Sequence, residues 1–147
     1  MRQSILFILI IFSLEVFANE EVINFSFNQE NAKFWGYISD RTMGGISDGK
    51  AVLEQDEGIF FARLTGNVST KNNGGFIQLR SSLSFINLEK ENKALKGVRL
   101  NVRGNGEIYH IFIRTSENQS YRDYYSATFI TTDKWKIVDL PFTEFKN

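Results

Sequence analysis

The residues best suited to chemistry lie in the segment 35–49, where an acid–base pair, a serine and several glycines occur close together. The stretch Gly45–Gly49 fits the G-x-S-x-G pattern of a serine nucleophile elbow, with Ser47 as its nucleophile. Such an elbow requires a strand, a sharp turn and a helix, and then an acid and a histidine later in the chain. The flanks alternate as strands do, and the single histidine, His110, lies in another alternating segment. Catalysis by Ser47 is therefore a minor alternative, and we expect a protein that is not an enzyme.

Metal chemistry would have to rest on carboxylates, because the chain has one histidine and no cysteine. The acids could donate oxygens to calcium, but their spacing does not resemble a calcium-binding loop. We therefore expect neither a metal nor a cofactor, and we interpret His110 as an ordinary strand residue. The adjacent pair Gly44-Gly45 instead marks a place where the backbone takes a positive φ or passes close to another group.

Tyrosine and tryptophan side chains offer a second kind of chemistry, which is binding by stacking. Tyr121, Tyr124 and Tyr125 lie beside an arginine and an aspartate. Together with Trp35 and Trp135 they are able to form a platform for sugar rings or a hot spot for a protein partner. The alternative is that these amphipathic side chains only line the rims of the fold, since Tyr and Trp are often half-buried.

Apolar residues recur at every second position through much of the chain, which is the period of a half-buried strand. Val98, Leu100 and Val102 show the pattern clearly. Further strand-like segments cover 23–27, 49–54, 58–65, 75–80, 109–113, 121–131 and 135–140, where Pro141 ends the last one. Roughly nine short strands without a long helix predict an all-β fold of the sandwich type.

Two connections between these strands can be interpreted from their composition. Arg103-Gly104-Asn105-Gly106 predicts a hairpin, because Asn-Gly suits a type I′ turn between two alternating runs. The polar and charged stretch 85–96 predicts a surface connection that contains at most one helical turn.

The N-terminus has the pattern of a secretory signal peptide. Arg2 supplies a positive region, residues 4–14 are almost wholly apolar, and Val16-Phe17-Ala18 has small residues at the cleavage-determining positions. We therefore expect cleavage after Ala18 and export to the periplasm or the cell exterior. The apolar run is too short to cross roughly 30 Å of hydrocarbon as a helix. A buried N-terminal strand or an uncleaved anchor is the alternative.

Removal of residues 1–18 from the 147 leaves a mature chain of 129 residues, 19–147, which is the size of one domain. It also removes one of 17 acids and one of 17 bases, Glu15 and Arg2, and so leaves 16 of each. A neutral balance argues against nucleic acid or an anionic membrane as the main partner. Without cysteine, no disulfide supports the exported fold.

The mature chain resembles the complex I intermediate-associated protein family in four separated blocks that follow the order of the family. The first block is Trp35 through Asp40-Arg41-Thr42-Met43-Gly44-Gly45-Ile46-Ser47, the second is Asn73-Gly74-Gly75-Phe76 with Leu79-Arg80, the third is 96–106 with Tyr109 and Arg114, and the fourth is Tyr125–Phe129 with Trp135 and 140–145. The resemblance implies a jelly-roll β-sandwich of the galactose-binding-domain-like type that catalyses nothing. Family members assist assembly of the respiratory NADH:ubiquinone oxidoreductase.

The resemblance also suggests roles for particular residues. The charged side chains would form a polar network near the Met43-Gly44-Gly45 loop, which would either fix the fold or bind a protein partner; they are Asp40, Arg41, Arg80, Arg103 and Arg114. Gly44, Gly45, Gly74 and Gly75 would shape the loops around it. In the alternative, a carbohydrate-binding module, Trp35 and the tyrosines Tyr124 and Tyr125 would stack on sugar rings.

Two features depart from the family pattern. The export signal separates this protein from the compartment in which complex I is assembled. The chain also ends soon after Phe145, where we expect family members to continue into further strands. The resemblance therefore predicts either a sandwich that is closed differently or a chain that is incomplete at its C-terminus.

Overall fold

The computed structural model describes residues 8–14, 23–24, 26–83, 95–120 and 122–147, the first two ranges by their backbone alone. These residues form strands joined by turns and short 3₁₀ segments. The strands are β1 (Ile8–Leu14), β2 (Ile23–Asn24), β3 (Trp35–Ser39), β4 (Asp48–Asp56), β5 (Ile59–Asn67), β6 (Ile77–Ser81), β7 (Gly97–Gly104), β8 (Ile108–Ile113), β9 (Tyr125–Ile130) and β10 (Lys136–Pro141). The predicted all-β class is therefore confirmed.

The largest sheet is antiparallel and contains six strands. Its order is β10-β7-β1-β5-β4, with β2 paired to β1 off this path. One face of β7 carries Val98, Leu100 and Val102, which are buried, as their alternation predicts. The opposite face carries cross-strand ion pairs, such as Arg63 Nε to Glu54 Oε2 at 2.7 Å, and also the buried Phe61, whose ring lies 5.6 Å from that of Trp135. One side of this sheet therefore belongs to the core.

Two small antiparallel sheets complete the fold, β3 with β6 and β8 with β9. Their inner side chains join those of the large sheet in a single hydrophobic cluster. Ile77 of β6, Tyr109 of β8 and Phe129 of β9 are buried in it together with Leu100 of β7. The core therefore lies between the large sheet and the two small ones, as expected for layered β-structure.

The hairpin predicted at Asn105-Gly106 is wrong. Strand β7 pairs with β1 and β10, whereas β8 pairs with β9, so the turn joins two different sheets. Gly104 N–H donates to the carbonyl of Thr132 at 2.7 Å, and Thr131 N–H donates to that of Glu107 at 3.2 Å. These bonds to the segment after β9 redirect the chain across the core, and only Gly106 of the turn pair takes a positive φ.

A two-residue hairpin does join β4 to β5. Asp56 pairs with Ile59 across the turn, and its two central residues, Glu57 and Gly58, have φ of 48° and 84°. Positive φ at both positions is typical of a type I′ turn, whose twist matches that of the flanking strands.

The N-terminal apolar run forms β1 and lies between β5 and β7. Ile8 is level with Leu64 on one side and Gly104 on the other. A strand here is the arrangement expected of a chain that keeps its N-terminus, and the cleavage after Ala18 stays a prediction. Several other predictions concern positions outside the described residues, namely those for 1–7, 15–18, Phe25, Tyr121 and residues 85–94 of the connection predicted over 85–96. In the described part of the chain, no helix has the length and apolarity needed to cross a membrane.

Candidate functional site

The candidate site is the segment that connects β3 to β4, residues 40–47, which we call the Asp40 loop. The loop begins with a 3₁₀ turn, Asp40–Met43, immediately after β3. Gly44 closes this turn with φ of 89°, and Gly45 N–H donates to the carbonyl of Asp40 at 2.9 Å. A left-handed conformation is readily adopted only by glycine, so Gly44 allows the chain to reverse here.

The Asp40 side chain is fully buried and accepts hydrogen bonds from two different loops. From its own loop it accepts the N–H of Ser47 at 2.9 Å and the Ser47 hydroxyl. From the loop before β6 it accepts the N–H of Gly75 at 2.6 Å and that of Phe76 at 3.3 Å. The carboxylate therefore ties together segments that are 35 residues apart in the sequence.

These contacts also set the ionisation of Asp40. Burial alone would raise its pKa, but hydrogen bonds from the Ser47 hydroxyl and from the N–H groups of Gly75, Ser47 and Phe76 favour the charged form. The balance lowers the pKa of Asp40 from 3.8 to about 2. Asp40 is thus a carboxylate at neutral pH, and its charge is satisfied by hydrogen bonds rather than by a cation.

Two glycines leave the space that this carboxylate occupies. A Cβ added at Gly45 or at Gly74 would overlap the Asp40 carboxyl group. Neither glycine has a positive φ, so close approach and not backbone conformation excludes a side chain there. Gly75, with φ of 142°, presents the N–H that bonds Asp40.

Ser47 has no exposed surface and serves as a link in this network. Its hydroxyl donates to Asp40 and accepts the N–H of Ser69 at 3.0 Å. A strand follows it, β4, where an elbow would have a helix. His110 lies on the exposed face of β8, with its ring stacked 6.0 Å from that of Phe112. Ser47 and His110 therefore lie in different parts of the fold.

The outer surface of the Asp40 loop is apolar and basic. Met43 and Ile46 are 60% and 47% exposed. Arg41 does not pair with its neighbour Asp40; its Nη2 lies 3.4 Å from Asp48 Oδ1, and its Nε donates to the carbonyl of Ser47 at 3.0 Å. Ile46 is a member of this site that the sequence alone does not single out, and the sequence singles out Ser47 only as a nucleophile. The sequence feature that indicates Ile46 as a site residue is its apolar side chain between residues that favour a loop.

The other predicted arginines lie away from this loop. Arg80 is on β6, paired with Gly36 at the end of the strand opposite to Phe76. Arg103 is on β7, 3.9 Å from Asp56 Oδ2 and 5.2 Å from the Trp135 ring. Arg114 follows the end of β8. Of the predicted polar network, Asp40 and Arg41 belong to the Asp40 loop. Arg80, Arg103 and Arg114 lie in other parts of the fold.

The aromatic residues predicted to stack on a ligand also lie in different parts of the fold. Trp35 is on β3 with its ring 5.2 Å from that of Phe27. Tyr124 precedes β9 and packs edge-on against Phe112, with ring centroids 4.7 Å apart. Tyr125 starts β9 and is half-buried. The tryptophan and the tyrosines thus belong to two different sheets.

A pocket of about 510 Å³ opens at the end of the β3–β6 sheet. We call it the Gly36 pocket, and its lining includes Lys33, Phe34, Trp35, Gly36, Arg80 and Ser81. Within the described ranges, no group of three or more His, Cys, Asp or Glu side chains is arranged to hold a metal ion.

Comparison with known proteins places this architecture in a family. Residues 23–147 match the family described as Complex I intermediate-associated protein 30 (CIA30). The chain belongs to this family. The match begins at β2 and includes the Asp40 loop and every strand that follows it. No significant match was found among curated proteins or among solved structures. Membership in the CIA30 family thus confirms the resemblance carried by the four sequence blocks.

Proposed function

We propose that this protein is a binding module of the CIA30 type that works outside the cytoplasm and catalyses nothing. Its partner is an assembling protein complex of the complex I kind, since the family is described by its association with complex I intermediates. The described sheets would form the two layers of a galactose-binding-like jelly roll. The signal-peptide pattern of residues 1–18 supports the exported location.

One observation carries the proposal, namely that the Asp40 loop is held from below while its apolar tip is exposed. Four hydrogen bonds reach the Asp40 carboxylate underneath the loop. Met43 and Ile46 project from the loop with about half of their surface in solvent. A prearranged loop loses little conformational freedom when it binds, and this favours affinity. Methionine adapts its shape to a partner surface, and Arg41 beside it suits the rim of a protein interface.

The experiment uses the full-length tagged protein expressed in its native host. Membranes are solubilised in mild detergent, the protein is captured, and subunits of NADH:ubiquinone oxidoreductase are quantified by mass spectrometry. We expect these subunits to be enriched with the wild-type protein. The double variant Met43→Ser/Ile46→Ser should recover about tenfold less, because exposed apolar anchors contribute much of the free energy of binding at an interface.

The matched control is Ile59→Ser/Ile137→Ser, which removes two other exposed apolar side chains, 55% and 62% exposed, on β5 and β10. It should recover the subunits as the wild type does. If the wild-type protein recovers none, or if the loop variant and the control behave alike, the proposal is wrong. Thermal unfolding of both variants shows whether each retains the fold.

A further inference from the structure

Gly36 is a strand residue whose lack of a side chain is not explained by the fold itself. Most other glycines of the described chain either have a positive φ or would bring a Cβ against neighbouring atoms. Gly36 has neither property, and a Cβ built there meets nothing within 4 Å. Glycine weakens a strand interior, and one of the features that it often marks is a site where a ligand or another chain approaches closely.

The space above Gly36 is the Gly36 pocket. Its floor is the exposed pair formed by Gly36 and Arg80, directly opposite each other on β3 and β6. Phe34, which is 42% exposed, contributes aromatic surface to the wall, whereas the Trp35 ring packs on the core side of its strand, 5.2 Å from the ring of Phe27. The volume of about 510 Å³ is within the range of roughly 300–1,000 Å³ that ligand sites occupy, and it accommodates several side-chain groups.

The described charged residues around the pocket have one sign. Of the lining residues that the structure describes, two are cations, Lys33 and Arg80, and none is a carboxylate. Lys33 Nζ lies 5.2 Å from the centre of the Phe34 ring. Among the residues that the structure describes, neither cation takes part in an ion pair. The guanidinium of Arg80 is exposed and suited to bidentate recognition of a carboxylate.

We infer that the Gly36 pocket binds an acidic segment of a protein partner, with a carboxylate side chain at Lys33 and Arg80 and an apolar neighbour against Phe34. Charge complementarity selects the carboxylate, and the Phe34 ring selects a segment that also carries an apolar or aromatic residue. The inference rests on the proposed protein-binding function and adds to it a second contact, on a different strand pair from the tip of the Asp40 loop.

The test uses a fluorescein-labelled peptide of alternating Phe and Glu, and a second peptide with Gln in place of every Glu. Fluorescence anisotropy measures binding to the full-length protein. We expect the Glu peptide to bind about tenfold more tightly than the Gln peptide, since a charge-assisted hydrogen bond contributes about that factor. Arg80→Gln should weaken binding of the Glu peptide by a similar factor.

Gly36→Val projects a β-branched side chain into the pocket from a position where a Cβ meets nothing within 4 Å, and strands favour such residues. It should weaken binding of the Glu peptide at least as much as Arg80→Gln does. Gly36→Ala, which leaves most of the volume open, and Lys50→Gln, which removes an exposed cation from β4, should bind as the wild type does.

Equal binding of the two peptides, or unchanged binding by both Arg80→Gln and Gly36→Val, would overturn the inference. Displacement of the peptide by low concentrations of inorganic phosphate would also contradict it, because the pocket would then be a small-anion site. These outcomes are independent of the recovery of complex I subunits. If complex I subunits are not captured but the Glu peptide still binds, the proposed function alone is rejected. If the subunits are captured but the peptide does not bind, the pocket inference alone is rejected.

Discussion

At the scale of single residues, Asp40 is the determinant of the candidate site. A buried carboxylate without a partner would be neutral, since burial disfavours charge. Here two backbone N–H groups from another loop and the N–H and hydroxyl of Ser47 surround it, so the ionised form is favoured. The acid–base pair seen in the sequence is therefore not an ion pair, because Arg41 turns outward to Asp48.

The first prediction concerns the stability of the folded protein in acid. Because the pKa of Asp40 is about 2 in the folded protein and 3.8 without these contacts, the unfolded chain takes up the proton first. The resulting stabilisation is complete above the unfolded pKa and is lost as the pH falls from about 4 to about 2. Urea unfolding at successive pH values should show this decline. In Asp40→Asn the protein should be less stable at pH 7, and this part of the decline should disappear.

Asp133→Asn is the control, since Asp133 is an exposed turn residue. It should follow the wild-type profile. If the free energy of unfolding falls equally steeply between pH 4 and 2 in Asp40→Asn and in the wild type, Asp40 is not the cause of the loss of stability in acid.

The second prediction concerns the glycines that contact Asp40. Gly45→Ala and Gly74→Ala each place a methyl group against the carboxyl group, and overpacking of this kind costs roughly 1–3 kcal/mol of unfolding free energy. Gly36→Ala meets nothing and should leave stability unchanged or raise it by about 0.5 kcal/mol, because alanine restricts the unfolded chain. Urea titration measures all three. Equal stabilities of Gly45→Ala and Gly36→Ala would contradict this account.

At the scale of elements, two turns with similar composition have different roles. Asn105-Gly106 has the sequence of a hairpin turn, yet it connects strands of two sheets. Glu57-Gly58 has a less favourable sequence, yet it forms the tight hairpin between β4 and β5. The pairing of long strands thus overrides the preference of the turn residues. Glu57, with φ of 48°, tolerates a left-handed conformation that Asn adopts more readily.

The third prediction follows from the left-handed conformation of Glu57, which strains the backbone of a residue that is not glycine. Glu57→Asn should raise the free energy of unfolding by roughly 0.5–1 kcal/mol, since a left-handed conformation is unfavourable for most residues and less so for Asn. Glu30→Asn is the matched control at another exposed turn whose residues lack positive φ. Chemical denaturation of the two variants makes the comparison. If Glu57→Asn does not raise the free energy of unfolding relative to the control, the turn is not strained.

At the scale of the whole molecule, the N-terminal run has two possible fates. Its backbone lies as β1 between β5 and β7, in the middle of the large sheet. The same residues have the composition of a secretory leader. The CIA30 match starts after them, at residue 23. An exported chain without its leader would therefore have to rearrange the sheet around β5 and β7.

The fourth prediction is that the exported protein begins at Asn19. Intact-mass measurement on protein from the periplasm or medium should give the mass of residues 19–147. Ala18→Arg, which places a long charged side chain where cleavage requires a small one, should accumulate as the precursor. Recovery of full-length exported protein, with slow amide exchange over Ile8–Leu14, would instead show that β1 remains in the sheet.

The sequence by itself determined the all-β class and the family. The alternation at Val98, Leu100 and Val102 marked a strand with one buried face, and the structure confirms it. Four blocks in order, the first from Trp35 to Ser47, indicated the family, and the CIA30 match agrees. These properties depend on near neighbours in the chain, so a local pattern is sufficient to reveal them.

The tertiary structure alone decided which parts meet. The donors to Asp40 at Gly75 and Phe76 are backbone N–H groups 35 and 36 residues away, and every residue except proline has one. No side-chain pattern marks which of them will face the carboxylate. For the same reason, only the three-dimensional arrangement shows that Gly45 makes room for Asp40, whereas Gly36 leaves a pocket open.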